Sequence, residues 1–177
     1  MKLNVKNPIA FFDLEATGTN VSTDRIVEIS IVKLTPDGGQ QIYTRRVNPG
    51  ISIPLEASLI HGIYDKDIKN EPSFKDIARE VFNFIGQSDL AGFNVLKYDI
   101  PLLVEEFLRS GIDFDLDRRN LLDAQKIFHL MEKRNLSAAY KFYCGKKLEN
   151  AHSAEADTLA TVDVFRAQIE RYLGEEV

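Results

Sequence analysis

The chain has 177 residues, of which 44% are hydrophobic, and a formal net charge of −5 from 22 basic and 27 acidic residues. This size predicts one domain over residues 1–177 with a sizeable core, and the charge excludes a strongly basic chain. The N-terminus lacks the apolar run of a signal peptide, and no stretch approaches the roughly 20 apolar residues of a membrane span. The single cysteine, Cys144, excludes an intramolecular disulfide, so we expect a cytoplasmic protein without membrane contact.

Three strands are predicted in the first 47 residues. The segment PIAFFDL (8–14) is apolar on both faces, which is typical of a central strand. The segments RIVEISIVKLT (25–35) and QQIYTRRV (40–47) are rich in β-formers, and the PDGG turn between them predicts a hairpin.

From Ser73 onward the spacing of apolar residues changes to that of helices, and Ser73 with Asp76 resembles a capping box. The later predicted elements are a helix from Ser73, a short strand over 89–94, a helix over 98–111, a short strand over 120–124, and helices over 124–131, 136–143 and 153–173. The last helix carries an apolar stripe of Leu159, Val162, Phe165, Ile169 and Tyr172. This order predicts an α/β fold, a mixed sheet flanked by helices.

Two carboxylates, Asp13 and Glu15, directly follow the apolar part of the first predicted strand. Two residues apart on a strand, they share one face, with α-carbons about 6.6 Å apart. Two like charges in a buried setting are unfavourable unless a hard cation neutralises them. An isolated pair of this kind is more often the polar end of a strand, so the pair alone leaves both interpretations open.

Two later stretches carry further candidate groups. GFNVLKYD (92–99) places Asn94 in a turn and Asp99 at the start of a helix, where aspartate is commonly a cap. NAHSAEADTLAT (150–161) places His152 five residues before Asp157, so the two share a target only if His152 precedes the helix. Each residue taken alone has an ordinary structural interpretation.

Taken together and in this order, the motifs resemble those of the DEDDh 3′–5′ exonucleases: Asp13-x-Glu15, Asn94 with Asp99, and His152-x4-Asp157. This family includes the proofreading ε subunit of bacterial DNA polymerase III, RNase T and oligoribonuclease. The resemblance extends over about residues 8–172 and includes the segments LIHGIYDKDIKNEPSF and LLDAQKIF. It implies an RNase H-like fold with a five-stranded mixed sheet flanked by helices.

The resemblance also implies catalysis with two divalent metal ions, Mg²⁺ or Mn²⁺. Asp13 would bridge both ions, Glu15 and Asp157 would complete the first site, and Asp99 would hold the second ion. His152 would act as general base on the attacking water, and the histidine form is indicated because serine, not tyrosine, follows it. The implied product is a nucleoside 5′-monophosphate released from a 3′ end.

The residues expected to hold the terminal nucleotide lie mostly after the first motif. Many relatives have threonine where this chain has Ala16, which puts one sugar or phosphate contact in doubt. The substrate-binding candidates are Leu14, Ala16, Thr17, Gly18, His61 and Asn94.

The leading prediction is cleavage of single-stranded DNA at its 3′ end, with DNA slightly favoured over RNA. The nearest alternative is an exoribonuclease acting on RNA or short oligoribonucleotides, because contacts to the 2′-hydroxyl depend on pocket shape. A non-catalytic nucleic-acid-binding or polymerase-associated module is a further alternative. The presence of all five expected catalytic residues argues against a loss of catalysis. The resemblance leaves a DNA polymerase partner and the oligomeric state open.

Overall fold

The computed structural model describes residues 5–149 and 153–173, which contain five strands and seven helices. In chain order these are β1 (Ile9–Ala16), β2 (Ile26–Leu34), β3 (Gln40–Arg46), α1 (Leu55–His61), α2 (Asp65–Ile68), α3 (Phe74–Ile85), β4 (Asp89–Gly92), α4 (Asp99–Arg109), β5 (Leu121–Asp123), α5 (Ala124–Met131), α6 (Leu136–Cys144) and α7 (Ala154–Arg171). Within these ranges no helix is long and apolar enough to cross a membrane.

By its internal contacts the chain divides into two units, a first that ends at Ile127 and a second that begins at Phe128. All five strands lie in the first unit, and α6 and α7 lie in the second. The assignment of residues 1–177 to one domain stays a prediction.

The five strands form one mixed sheet in the order β3-β2-β1-β4-β5. The first three pair antiparallel as a meander, whereas β4 pairs parallel with β1 and β5 parallel with β4. β1 is the central strand, as its apolar residues on both faces predict. A central strand is covered on both faces, so both of its faces can be apolar. The predicted five-stranded mixed sheet is therefore confirmed.

The strand β1 is longer than its parallel neighbour, and this mismatch creates the site described below. Along β1, only Ile9–Phe11 pair with β4, which ends at Gly92. A Cβ atom on Gly92 would lie 2.9 Å from the Phe12 carbonyl oxygen and 2.8 Å from Val95 Cβ, so the turn after β4 requires glycine. Beyond Phe11, β1 therefore continues without β4 beside it.

The core of the first unit lies between the sheet and the helices α3 and α4. The apolar residues of α3 recur at helical spacing as predicted, and Ile77, Val81 and Ile85 are buried against the sheet. The predicted capping box is also confirmed, because the Ser73 N–H donates to Asp76 Oδ2 at 3.0 Å. Complete burial of such an aliphatic side chain contributes roughly 1.5–3 kcal/mol, so this packing fixes where the strand ends lie.

Two short helices in the segment 48–72, α1 and α2, were not predicted. α1 buries only Ser58 and leaves its large apolar residues, including Leu59 and Ile60, exposed, so it lacks the periodic buried face that indicates a helix. It ends at Gly62, whose φ of 75° gives the left-handed turn that terminates helices.

The predicted apolar stripe of α7 differs from the face that the helix buries. Leu159, Val162, Phe165 and Ile169 are exposed, and the buried residues of α7 are Ala160 and Val164. Small side chains at the buried positions allow α6 to pack closely along α7 within the second unit.

Candidate active site

Asp13 and Glu15 project from one face of β1 on either side of the buried Leu14. In the register with β2, Glu15 lies opposite Glu28, so a third acidic group stands on the same face. Partial burial raises the pKa of Glu15, and the negative charges of Asp13 and Glu28 raise it further, while His61 acts in the opposite direction. The negative charges on this face of β1 are therefore only partly compensated.

Asp99, which lies 85 residues from Leu14 in the chain, joins these carboxylates. The Leu14 N–H donates to Asp99 Oδ1 at 3.2 Å, on a strand whose parallel neighbour has already ended, so a side-chain carboxylate supplies the acceptor. Asp99 is the first residue of α4 and Tyr98 occupies the cap position, so the simple capping interpretation of Asp99 is wrong.

The pKa of Asp99 is raised to about 6, first by burial and then by the charge of Asp13, with a smaller contribution from Glu15. The backbone N–H groups of Leu14 and of Asp99 itself act against this rise but do not overcome it. The charge of Asp13 thus raises the pKa of both Glu15 and Asp99, and a cation bound beside these carboxylates would stabilise their ionised forms.

The chemistry of this set suits a hard divalent cation, since all its donors are carboxylate oxygens. Among residues 5–149 and 153–173, however, no three His, Cys, Asp or Glu side chains are grouped so that they could hold a metal ion. Asp13, Glu15 and Asp99 thus share one electrostatic environment without forming a complete coordination shell.

His61, the last residue of α1, also belongs to this environment. Its Nδ1 accepts the Ile63 N–H at 3.1 Å, and its charge lowers the pKa of Glu15. Its Nε2 atom is buried and has no hydrogen-bond partner among the described residues. An unpartnered ring nitrogen beside a carboxylate is free to bind an incoming polar group.

The loop after β1 is closed by its own side chains. Thr17, a predicted substrate residue, is buried, donates to Asp24 Oδ1 at 2.8 Å and accepts the Arg25 N–H at 3.1 Å. The Gly18 carbonyl accepts a hydrogen bond from the Tyr98 hydroxyl. A Cβ on Gly18 would lie 2.6 Å from Asp24 Oδ2, so only glycine fits this loop as it stands.

Arg109, at the end of α4, holds the far side of the same loop. Its guanidinium donates to the carbonyl oxygens of Val21, Ser22 and Asp24 at 3.2, 2.6 and 3.0 Å. The buried Glu106 pairs with it at 2.9 Å. Sequence analysis missed this role, since no local pattern connects an arginine on a helix to a loop more than 80 residues earlier.

Asn94 lies in the turn between β4 and α4, as predicted, with a left-handed φ of 61°. Its N–H donates to Asp123 Oδ1 at 2.9 Å, and Asp123 also accepts the N–H groups of Leu96, Gln125 and Lys126. Burial alone would raise the pKa of Asp123, but these four N–H donors lower it. Asp123 therefore fixes the turn that leads into Asp99, a function that sequence analysis did not assign.

Leu14 and Ala16 are buried like Thr17, so these three predicted substrate-binding residues offer little accessible surface to a nucleotide. Asn94 is exposed and Gly18 half-buried. The structure thus brings most of the predicted residues of the first two motifs into one region of the first unit.

The third motif belongs to the second unit and is described separately. Asp157 lies in the first turn of α7, where its N–H donates to the Ser153 carbonyl at 2.9 Å. Its Oδ1 atom is buried and has no hydrogen-bond partner among the residues that the structure describes. His152 lies outside the described residues, and Ser153 occupies the predicted cap position, with no side-chain cap hydrogen bond in the described part of the chain.

Comparison with known proteins identifies the family. Residues 10–165 match the RNase_T family model, which describes an exonuclease. The chain belongs to the exonuclease family. The resemblance inferred from the motifs is thereby confirmed, and the family is one of nuclease enzymes.

Curated relatives agree with this family. The ε subunit of DNA polymerase III from Buchnera aphidicola is 32% identical over 162 residues, which cover 85% of this chain and 67% of the relative. The 3′–5′ exonuclease DinG from Staphylococcus haemolyticus is 24% identical over 159 residues, which cover 86% of this chain and 17% of the relative. The chain thus spans about two thirds of one relative and less than a fifth of the other.

Solved structures agree on the architecture. Escherichia coli exonuclease I in complex with a dT13 oligonucleotide superposes with a TM-score of 0.64 at 16% identity, covering 93% of this chain and 41% of that one. The likeness confirms the predicted RNase H-like fold of this exonuclease family member.

Proposed function

We propose that the protein is a metal-dependent 3′–5′ exonuclease that hydrolyses the terminal phosphodiester bond of single-stranded DNA and releases nucleoside 5′-monophosphates. The observation that carries the proposal is the clustering of Asp13, Glu15 and Asp99, in which burial and the charge of Asp13 raise the pKa of both Glu15 and Asp99. A purely structural carboxylate is instead paired with N–H donors, and its pKa is lowered.

In this proposal Asp13, Glu15, Asp99 and Asp157 hold two divalent ions, Mg²⁺ or Mn²⁺. Bound ions of this kind stabilise the attacking and leaving oxygens of a phosphoryl displacement. The assignment of Asp157 rests on its motif and is supported by its buried oxygen, which lacks a hydrogen-bond donor among the described residues. Such an oxygen is costly to bury unless a ligand satisfies it.

His152 is proposed as the general base that accepts a proton from the attacking water. This assignment rests on the motif alone. A histidine titrates near neutral pH, so it is able to take up a proton from water and pass it to solvent within each turnover.

The terminal nucleotide is proposed to bind along the loop that follows β1. The backbone of Leu14, Ala16 and Thr17, together with Gly18, would line this site. Arg109 and Tyr98 support the proposal indirectly, because their hydrogen bonds hold this loop in one conformation. His61 and Asn94 would contact the nucleotide through exposed or unpartnered polar atoms.

DNA is favoured over RNA because one relative is named as a DNA polymerase subunit and the matched exonuclease I is in complex with a dT13 oligonucleotide. A cytoplasmic location is part of the same proposal, whereas association with a DNA polymerase stays open. Degradation of RNA is the alternative that the following experiment separates.

The test uses 5′-labelled single-stranded DNA and RNA of equal sequence with Mg²⁺, Mn²⁺ or EDTA. We expect a ladder that shortens stepwise from the 3′ end, faster for DNA, and no reaction in EDTA. The matched control is the same DNA ending in a 3′–3′-linked nucleotide, which offers no normal 3′ end. Cleavage of that control, or a reaction that persists in EDTA, would contradict the proposal, and faster loss of RNA would assign the exoribonuclease activity.

A further inference from the structure

The second unit contains a broad groove of about 1510 Å³ around the start and end of α6. All of its lining residues fall between Met131 and Leu148, so the groove is built within this unit. The charged residues that line it are Lys133, Arg134, Lys141, Lys146, Lys147 and Glu132. These give the groove a formal charge of +4, in a chain whose total is −5.

The cations of the groove are not neutralised within the part of the chain that the structure describes. All five are exposed, and none makes an ion pair there. In contrast, the basic pair Arg45 and Arg46 on β3 faces Glu80 at 3.9 Å and Glu28 at 3.3 Å. Positive charge in the groove is thus available to an external anion, whereas that on the sheet is already compensated.

The floor of the groove adds exposed apolar surface to this charge. Phe142 is 63% exposed, and the guanidinium of Arg171 lies 4.8 Å from its ring centroid. Met131, at the rim, is 73% exposed. An aromatic ring next to several unpaired cations matches single-stranded nucleic acid, whose bases stack on rings while its phosphates meet cations. An acidic peptide would use the cations but has no general need for the ring.

We propose that this groove binds a single-stranded nucleic acid by its phosphates, with Phe142 as a stacking platform for a base. Lys146 and Lys147, adjacent in the segment after α6, are the principal phosphate contacts. The inference shares with the proposed function only the class of ligand, since binding in the groove involves no bond cleavage.

The test measures fluorescence anisotropy of a labelled dT12 oligonucleotide titrated with the full-length protein in EDTA, where metal-dependent cleavage is absent. We expect Lys146→Gln/Lys147→Gln to weaken binding about tenfold and to reduce the slope of log affinity against log salt by about 1.4, since each lost single-strand phosphate contact removes roughly 0.7. The control Lys69→Gln/Arg118→Gln removes the same charge from exposed positions of the first unit, where neither side chain makes an ion pair with another described residue. We expect this control to change affinity less than about twofold.

A second variant separates stacking from charge. Phe142→Ala should weaken dT12 binding by about fivefold or more with an unchanged salt slope, because it removes a ring and no cation. Far-UV circular dichroism and thermal melting establish that each variant is folded, as expected for substitutions of exposed side chains.

Unchanged affinity in Lys146→Gln/Lys147→Gln, or an equal loss in the control, would overturn the inference. Groove-dependent binding of a glutamate-rich peptide without groove-dependent binding of dT12 would also overturn it and assign an acidic protein partner. A protein that binds dT12 through the groove but cleaves no substrate would support the inference and contradict the proposed exonuclease function.

Discussion

Asp123 at the end of β5 and Asp99 at the start of α4 lie in the same unit, yet their environments shift the pKa of the two carboxyl groups in opposite directions. Asp123 accepts four backbone N–H groups, and these donors lower its pKa despite burial. Asp99 accepts the N–H of Leu14 and its own, and burial with the charge of Asp13 raises its pKa to about 6. The N–H donors around Asp123 stabilise its ionised form. Around Asp99, the two N–H donors do not compensate for burial and for the charge of Asp13.

The same contrast extends to two neighbours. Asp89 at the start of β4 accepts the backbone and side-chain N–H groups of Asn120, at 2.9 and 3.0 Å, and these lower its pKa against the effect of burial. Glu15 has a raised pKa and stands beside further acidic groups. Residue type and position near a strand end therefore do not distinguish a structural from a candidate catalytic carboxylate, whereas the supply of donors does.

The largest expected effect comes from removing a carboxylate that is proposed to hold metal. Asp13→Ala and Asp157→Ala should each reduce exonuclease activity by about 10³-fold or more, because each removes a proposed metal ligand. Circular dichroism should show an intact fold. Substantial activity in either purified variant would contradict the proposed role of that carboxylate as a metal ligand.

The next largest effect is expected from the proposed base. His152→Ala should slow turnover by roughly 10²–10⁴-fold, the usual contribution of a positioned general base. Binding of Mn²⁺, measured by calorimetry, should be preserved. Loss of metal binding in this variant would mean that His152 is a ligand and not the base.

A structural carboxylate should show the opposite behaviour. Asp123→Ala leaves four backbone N–H groups without their acceptor, and we expect a loss of about 3 kcal/mol in the free energy of unfolding. Activity per folded molecule should fall far less than in Asp13→Ala. Urea denaturation measures the free energy of unfolding, and parallel assays measure the activity. An unchanged free energy of unfolding in Asp123→Ala would contradict the distinction between structural and catalytic carboxylates.

The smallest effect is a gain in stability. The folded-state pKa of Asp99, about 6, lies above the ordinary aspartate value of 3.8, so the folded protein holds this proton more tightly than the unfolded chain. The stability from this group is complete below about pH 4 and is lost as the pH rises through about 6. Asp99→Asn, which keeps an acceptor for Leu14, should stabilise the metal-free protein at pH 7 by about 1 kcal/mol.

The matched measurement follows the melting temperature of metal-free wild type and Asp99→Asn from pH 4 to pH 7. The difference between the two proteins should grow as the pH rises. Asp89 and Asp123 have lowered pKa values, so their contributions are lost only as the pH falls through the acidic range. A difference in melting temperature that stays constant with pH would show that the charge of Asp99 does not destabilise the folded protein.

Much of the first unit was predictable because its signals are local. The apolar β1, the hairpin of β2 and β3, and the capping box before α3 depend on neighbours a few residues apart. The order of all three motifs along the sequence was also sufficient to indicate the family, with Asp13 and Glu15 on β1, Asp99 at the start of α4 and Asp157 in the first turn of α7.

The rest depends on contacts that the sequence does not display. The hydrogen bond from Leu14 to Asp99 and those from Arg109 to the loop after β1 each span more than 80 residues. The α1 helix escaped prediction because its apolar residues are exposed, and the α7 stripe was misleading because small residues form the buried face. Periodicity reports burial only when the large apolar residues are the buried ones.

The most direct test follows the release of nucleoside 5′-monophosphate from the 3′ end of single-stranded DNA by wild type, Asp13→Ala and Asp123→Ala, with Mg²⁺ or with EDTA. We expect stepwise release by wild type and by folded Asp123→Ala in Mg²⁺, and none by Asp13→Ala or by any protein in EDTA. Release by Asp13→Ala equal to that of wild type, or release in EDTA, would contradict the assignment of the carboxylates as the metal-dependent catalytic centre.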